Sequence, residues 1–72
     1  MTDYHINVFA SSEDEGYIAD IPDLPYCSAF GETPQDALRE VLMARDAYLE
    51  TLRASGGPVP TPRYRPAIYQ AT

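Results

Sequence analysis

A chain of 72 residues with one cysteine, one histidine and a net charge of −6 excludes a second domain, an intramolecular disulfide and the usual four-ligand zinc site. No charged-then-apolar leader opens it and no run of about 18 apolar residues could span a bilayer, so a soluble protein of a reducing cytoplasm is expected. The charge is lopsided: residues 1–38 hold eight acids and no Arg or Lys, while residues 39–72 hold three acids and all five arginines, which disfavours nucleic acid and suits a basic protein partner.

YHINVFA (4–10) is rich in aromatic and β-branched residues and reads as a strand. Alternation puts Tyr4, Ile6 and Val8 on one face and His5, Asn7 and Phe9 on the other. The polar SSEDEG (11–16) makes a hairpin loop. GYIADI (16–21) returns as a second strand, with Tyr17, Ala19 and Ile21 on one face and Ile18 and Asp20 on the other. PDLP then turns the chain, Leu24 pinning the corner and Asp23 capping it through an Asx-type bond. YCSAFG (26–31) gives a third strand over 26–30.

ETPQDALREVLMARDAYLETLRASGG holds the clearest element, a helix over 34–54. Thr33 is a good N-cap and Pro34 suits the first helical position, where its missing N–H costs nothing. Asp36 follows three residues later, as in a capping box, and Glu32 and Asp36 both favour the positive helix end. Ala37, Leu38, Val41, Leu42, Arg45, Tyr48, Leu49 and Leu52 follow 3–4 spacing, so the core-facing stripe is apolar except at Arg45. Gly56 and Gly57 end the helix and Pro58 keeps it ended. GGPVPTP (56–62) is a stiff extended connector. RYRPAIY (63–69) reads as a fourth strand, placed at a sheet edge because Pro66 cannot donate to a ladder.

The fold class is therefore α+β, in the order β-β-β-α-β. If the last strand re-enters beside the first, the four-stranded mixed sheet has spatial order 3-2-1-4, with one long helix on one face. The other face shows Phe9, Ile18, Phe30 and Tyr69 among polar His5, Asn7, Asp20 and Ser28. That face is too apolar to leave wet, so a partner or a second copy should cover it, most simply in a homodimer or higher homo-oligomer.

Catalytic patterns are missing. His5, Cys27 and the serines form no evident triad, and a lone buried cysteine is more often a small hydrophobe than a nucleophile. Gly31 before the helix is one glycine and not a phosphate loop. Glu13, Asp14 and Glu15 are consecutive and diverge, so no compact carboxylate set for a metal nuclease emerges. The expectation is no enzyme, no metal and no cofactor. Six tyrosines must supply much of the core bulk in a chain with no Trp and two Phe. Tyr26, Tyr64 and Tyr69 are the ones placed for outside contacts.

GYIADIPDLPYCSAFGETPQDALREVL resembles the HicB family of antitoxins from bacterial and archaeal toxin-antitoxin systems. The likeness lies in the Gly-aromatic start, the short strand, I-P-D-L-P, the nearby Cys, then G-x-T and a helix beginning x-x-A-L. It covers residues 4 to about 52 well, and the last strand by order. The resemblance implies a partial ribonuclease H-like fold without that enzyme's active site. It implies binding and neutralisation of a small basic HicA-like toxin that cleaves messenger RNA. On that reading the acids stand roughly where phosphates would, and Glu13, Asp14, Glu15, Asp20, Asp23 and Tyr26 are candidate contacts to the toxin. Two departures limit the carry-over. Full-length members usually carry a C-terminal DNA-binding domain, whereas this chain stops after one strand, so operator binding is not expected. Tyr26 stands where the family commonly has Gly. A structural self-association module without a toxin partner is the other expectation.

Overall fold

A computed structural model describes residues 4–64. Three short strands, β1 (Asn7–Ala10), β2 (Tyr17–Asp20) and β3 (Ser28–Gly31), precede one helix, α1 (Pro34–Ala54). The strands form an antiparallel sheet in the order β1-β2-β3. In register, Phe9 lies opposite Ile18 and Ile18 opposite Phe30. Asn7, Asp20 and Ser28 form the next row. The described architecture is thus α+β, a three-stranded sheet with a helix on one face.

The fourth strand expected over 63–69 is not part of this description. Arg63 and Tyr64 are not in a strand, and residues 65–69, Tyr69 among them, lie outside the described residues. The mixed sheet and the ribonuclease H-like assignment depend on that strand.

Each strand is shorter than the sequence predicts, for local reasons. Continuing the β1–β2 register places His5 opposite Pro22, and proline has no N–H to extend the ladder. Strand β1 therefore starts at Asn7 and not at Tyr4. On the other side of the corner, Tyr26 has φ 64°, a left-handed conformation no strand can include. Strand β3 starts at Ser28 instead of Tyr26.

The helix bounds agree with the sequence reading at both ends. Thr33 is extended and its Oγ1 accepts the Asp36 N–H at 3.1 Å. The Asp36 carboxylate pairs with Arg39 one turn on. At the C-terminus Gly57 N–H donates to Leu52 O at 3.0 Å and Gly56 N–H to Arg53 O at 3.2 Å, with Gly56 at φ 75°. This is the Schellman arrangement, and it requires a left-handed residue where Gly56 sits.

The core lies between the helix and one sheet face. Ala19, Ile21, Leu24, Ala37 and Val41 are almost fully buried, joined by Tyr4, Cys27 and Leu49. Tyr17, Ala44, Tyr48 and Leu52 pack around them. Burying a Val, Leu or Ile side chain contributes about 1.5–3 kcal/mol, so this handful carries much of the stability of so small a domain. Leu38 departs from the expected stripe: it is 38% exposed. It sits one residue, about a 100° turn, from the buried line of Ala37 and Val41. Arg45 is half-buried beside the core and its guanidinium donates to Asp46 Oδ1 at 3.0 Å, so the polar end leaves the stripe while the stem covers it.

Candidate functional site

The IPDLPYC corner joins β2 to β3 by two successive turns. Leu24 N–H donates to Ile21 O and Cys27 N–H to Leu24 O, each at 3.0 Å. Ile21 N–H closes the base on Cys27 O, also at 3.0 Å. Pro22 and Pro25 each occupy the second position of a turn, where their fixed φ is pre-set. Between them Leu24 is 1% exposed and reaches the core. The turn over 24–27 needs a left-handed third residue, which usually means glycine, and this chain supplies Tyr26.

Tyr26 makes no compensating contact, because its side chain is fully exposed. A non-glycine residue held left-handed costs roughly 1–2 kcal/mol, partly offset by the greater unfolded-state entropy of glycine. Tyr26→Gly is therefore expected to stabilise the fold by up to about 1 kcal/mol. Urea denaturation would read this as a higher midpoint at unchanged slope, and a lower midpoint would contradict it.

Asp23 does not cap the corner as expected. Its carboxylate instead accepts the backbone N–H of Arg63 at 3.0 Å and of Tyr64 at 3.0 and 3.2 Å. The Tyr64 ring lies against His5, with centroids 4.7 Å apart. Tyr4 Oη donates to Pro60 O at 2.5 Å. The returning segment is thus clasped at three points, of which only Tyr4 belongs to the buried core. A turn reading could not have found this bond, since its partners lie 40 and 41 residues away. Asp23→Ala should loosen the segment and raise tryptic cleavage after Arg63 about threefold to tenfold, since a bond to a charged group is worth about 1.5–3 kcal/mol before discounting for exposure. Mass-spectrometric timing of that cut checks it, and unchanged kinetics would count against the clasp.

The candidate contact residues fall into separate places. Glu13, Asp14 and Glu15 are exposed in the loop joining β1 to β2. Asp23 and Tyr26 sit at the opposite end of β2, separated from that loop by roughly 13 Å of strand. Asp20 lies between them, half-buried, in the row of Asn7 and Ser28. The acids do not converge. Among the described residues no group of three or more His, Cys, Asp or Glu side chains is placed to hold a metal ion. Cys27 is buried, and burial pushes its thiol pKa up, with the Arg45 charge pulling the other way. A raised pKa keeps the thiol protonated and unreactive at neutral pH.

The sheet face away from the helix carries Phe9, Ile18 and Phe30 side by side. Phe9 is 49% and Phe30 47% exposed. Next to them an open groove of about 470 Å³ runs along β3, lined by Asp14, Ile18, Ser28, Ala29 and Phe30. The Phe30 ring rests on Gly16: a Cβ there would stand 2.7 Å from the ring's Cε2 and 2.8 Å from Gly31 O. Sequence reading took Gly16 as a loop end, the start of the second strand and part of the family likeness, and no local signal ties it to a residue on another strand.

No family model and no solved structure matches the chain. Two curated proteins do. The UPF0150 protein ssl0259 of Synechocystis sp. is 34% identical over 58 residues, which cover 81% of this chain and 78% of that protein. The chain belongs to the UPF0150 family. A second member, the UPF0150 protein Ta0767 of Thermoplasma acidophilum, is 32% identical over 53 residues, or 74% of this chain and 77% of that one. These are small proteins, and neither name states an activity or a partner. No helix among the described residues of this UPF0150 chain is long and apolar enough to cross a membrane.

Proposed function

We propose that this UPF0150 protein is a non-enzymatic, HicB-like antitoxin domain that binds and neutralises a small basic HicA-like toxin cleaving messenger RNA. The observation that carries the reading is the series I-P-D-L-P-x-C with G-x-T following, which fixes several unusual residues at set spacings over residues 21–33. Support comes from the charge of the first 38 residues, which would speed association with a basic partner. Exposed Glu13, Asp14, Glu15 and Tyr26 are the proposed contacts, with Asp20 at the margin. Asp23 is engaged by the chain's own Arg63 and Tyr64, so it is the weakest member of the set. Co-expression with any small basic protein encoded beside the gene tests the reading. Rescue of growth supports it, and failure to rescue from every adjacent small toxin sinks it.

The row of exposed Phe9 and Phe30 with half-buried Ile18 between them favours a second reading, a self-association module. It requires a stable homo-oligomer in the absence of any other protein.

A further inference from the structure

We infer that the outer edge of β3 is a self-complementary docking strand, on which a second copy of this chain adds its own β3 antiparallel, extending the sheet from three strands to six. This deepens the self-association reading and rests on it, but names the sheet edge as the contact in place of the sheet face.

The backbone pattern sets the register. Ile21 N–H donates to Cys27 O, and Ile21 and Cys27 continue the β2–β3 register. In an antiparallel ladder bonded and non-bonded pairs alternate. Ala29 and Gly31 therefore bond to β2, whereas the N–H and C=O of Ser28 and Phe30 point away from it. Among the described residues β3 pairs with β2 alone. Beyond the other end of the sheet, the residues leading into β1 are engaged by the returning segment, through Tyr4 with Pro60 and His5 with Tyr64. An open row of strand donors and acceptors is a template for another strand.

Why a second copy fits follows from symmetry. Ser28 and Phe30 flank Ala29, so a two-fold axis through Ala29 sets each Ser28 opposite Phe30 of the second copy. Both outward pairs then exchange both bonds, making four in all. Ser28 and Phe30 share the face away from the helix. The two Phe30 rings become diagonal neighbours there, within aromatic reach, beside the groove that Ser28, Ala29 and Phe30 share with Asp14 and Ile18. The same axis sends the two acidic loops to opposite ends of the joined sheet, so Glu13, Asp14 and Glu15 of one copy do not meet those of the other. A four-residue edge is small beside the ~800 Å² per partner of stable complexes, so the dimer is weak. The charge of −6 per copy makes added salt strengthen it.

Sedimentation equilibrium of the full chain, at low and at high salt, tests this with four proteins. The wild type should dimerise, more tightly in high salt. Phe30→Asp should weaken the dimer at least about tenfold. Ser28→Pro removes an outward N–H while leaving the β2 ladder intact, and should weaken it by a similar factor with an unchanged circular dichroism spectrum. Phe9→Asp, two strands from the edge, should leave it unchanged. If Phe9→Asp dissociates the dimer as Phe30→Asp does and Ser28→Pro leaves it intact, copies stack face to face and the edge inference is overturned while the self-association reading stands. A wild type that stays monomeric at high micromolar concentration overturns both.

Discussion

Gly31→Ala is expected to remove most of the folding stability of the protein. The carbon it adds would stand closest to Ala37 N, then 2.7 Å from Asp36 C and 2.8 Å from Ala37 Cα. All three are backbone atoms of the first turn of α1, so no side chain can swing aside. Either the helix start lifts from β3 or the strand bends. Overpacking of this kind costs about 1–3 kcal/mol when flexible neighbours yield, and more when they cannot. A single thin core seldom supplies more than about 3–5 kcal/mol, so the loss takes most of the stability. Far-UV circular dichroism and urea denaturation of the variant beside wild type check it. A midpoint within experimental error of wild type would show that α1 does not sit as close to β3 as described.

The close approach at Gly31 also marks where sequence reading stops. The helix bounds were legible because they are written locally, in Thr33-Pro34 at one end and Gly56-Gly57 at the other. The sheet face was legible because alternation is local too: Phe9, Ile18 and Phe30 come out in one row, as the three strand patterns predict. Gly31 carries no such mark. Its need for a bare Cα comes from Ala37, six residues on, and arises only once the helix has folded back on the strand. The same holds for Gly16 under Phe30 and for Asp23, whose partners Arg63 and Tyr64 are brought to it by the return of the chain. Contacts between distant segments decide these three residues, and a single sequence encodes them without announcing them.

The candidate site was legible in a different way. Candidate contact residues could be named from the sequence, but not where the fold places them relative to one another. Acids counted along the chain look like one charged half, yet the turn at 22–27 sends Asp23 and Tyr26 to the far end of the sheet from Glu13–Glu15. A basic partner touching both groups would need to span the length of β2. A smaller partner would choose one end.

Leu24→Ala is the second large effect, and it separates architecture from contact within the corner. Leu24 is 1% exposed, and its own N–H and C=O are both spent in the turns. Its backbone therefore cannot follow a shortened side chain into the core, and a cavity remains. Leu→Ala changes at such sites cost about 2–5 kcal/mol, the upper part of the range applying where the surroundings cannot collapse. Leu24→Met keeps the volume and should cost less than about 1.5 kcal/mol. Urea midpoints for the two variants, at unchanged slope, check the pair, and equal losses would mean that Leu24 does not fill the core. Tyr26→Gly two residues away moves stability the other way and removes no internal contact. The two changes thus pull apart what the corner does for the fold from what it does for a partner. A partner that binds Tyr26→Gly more weakly, although that variant is the better folded, reads the exposed ring. One that binds it equally and fails only with Leu24→Ala needs nothing from the corner beyond its shape.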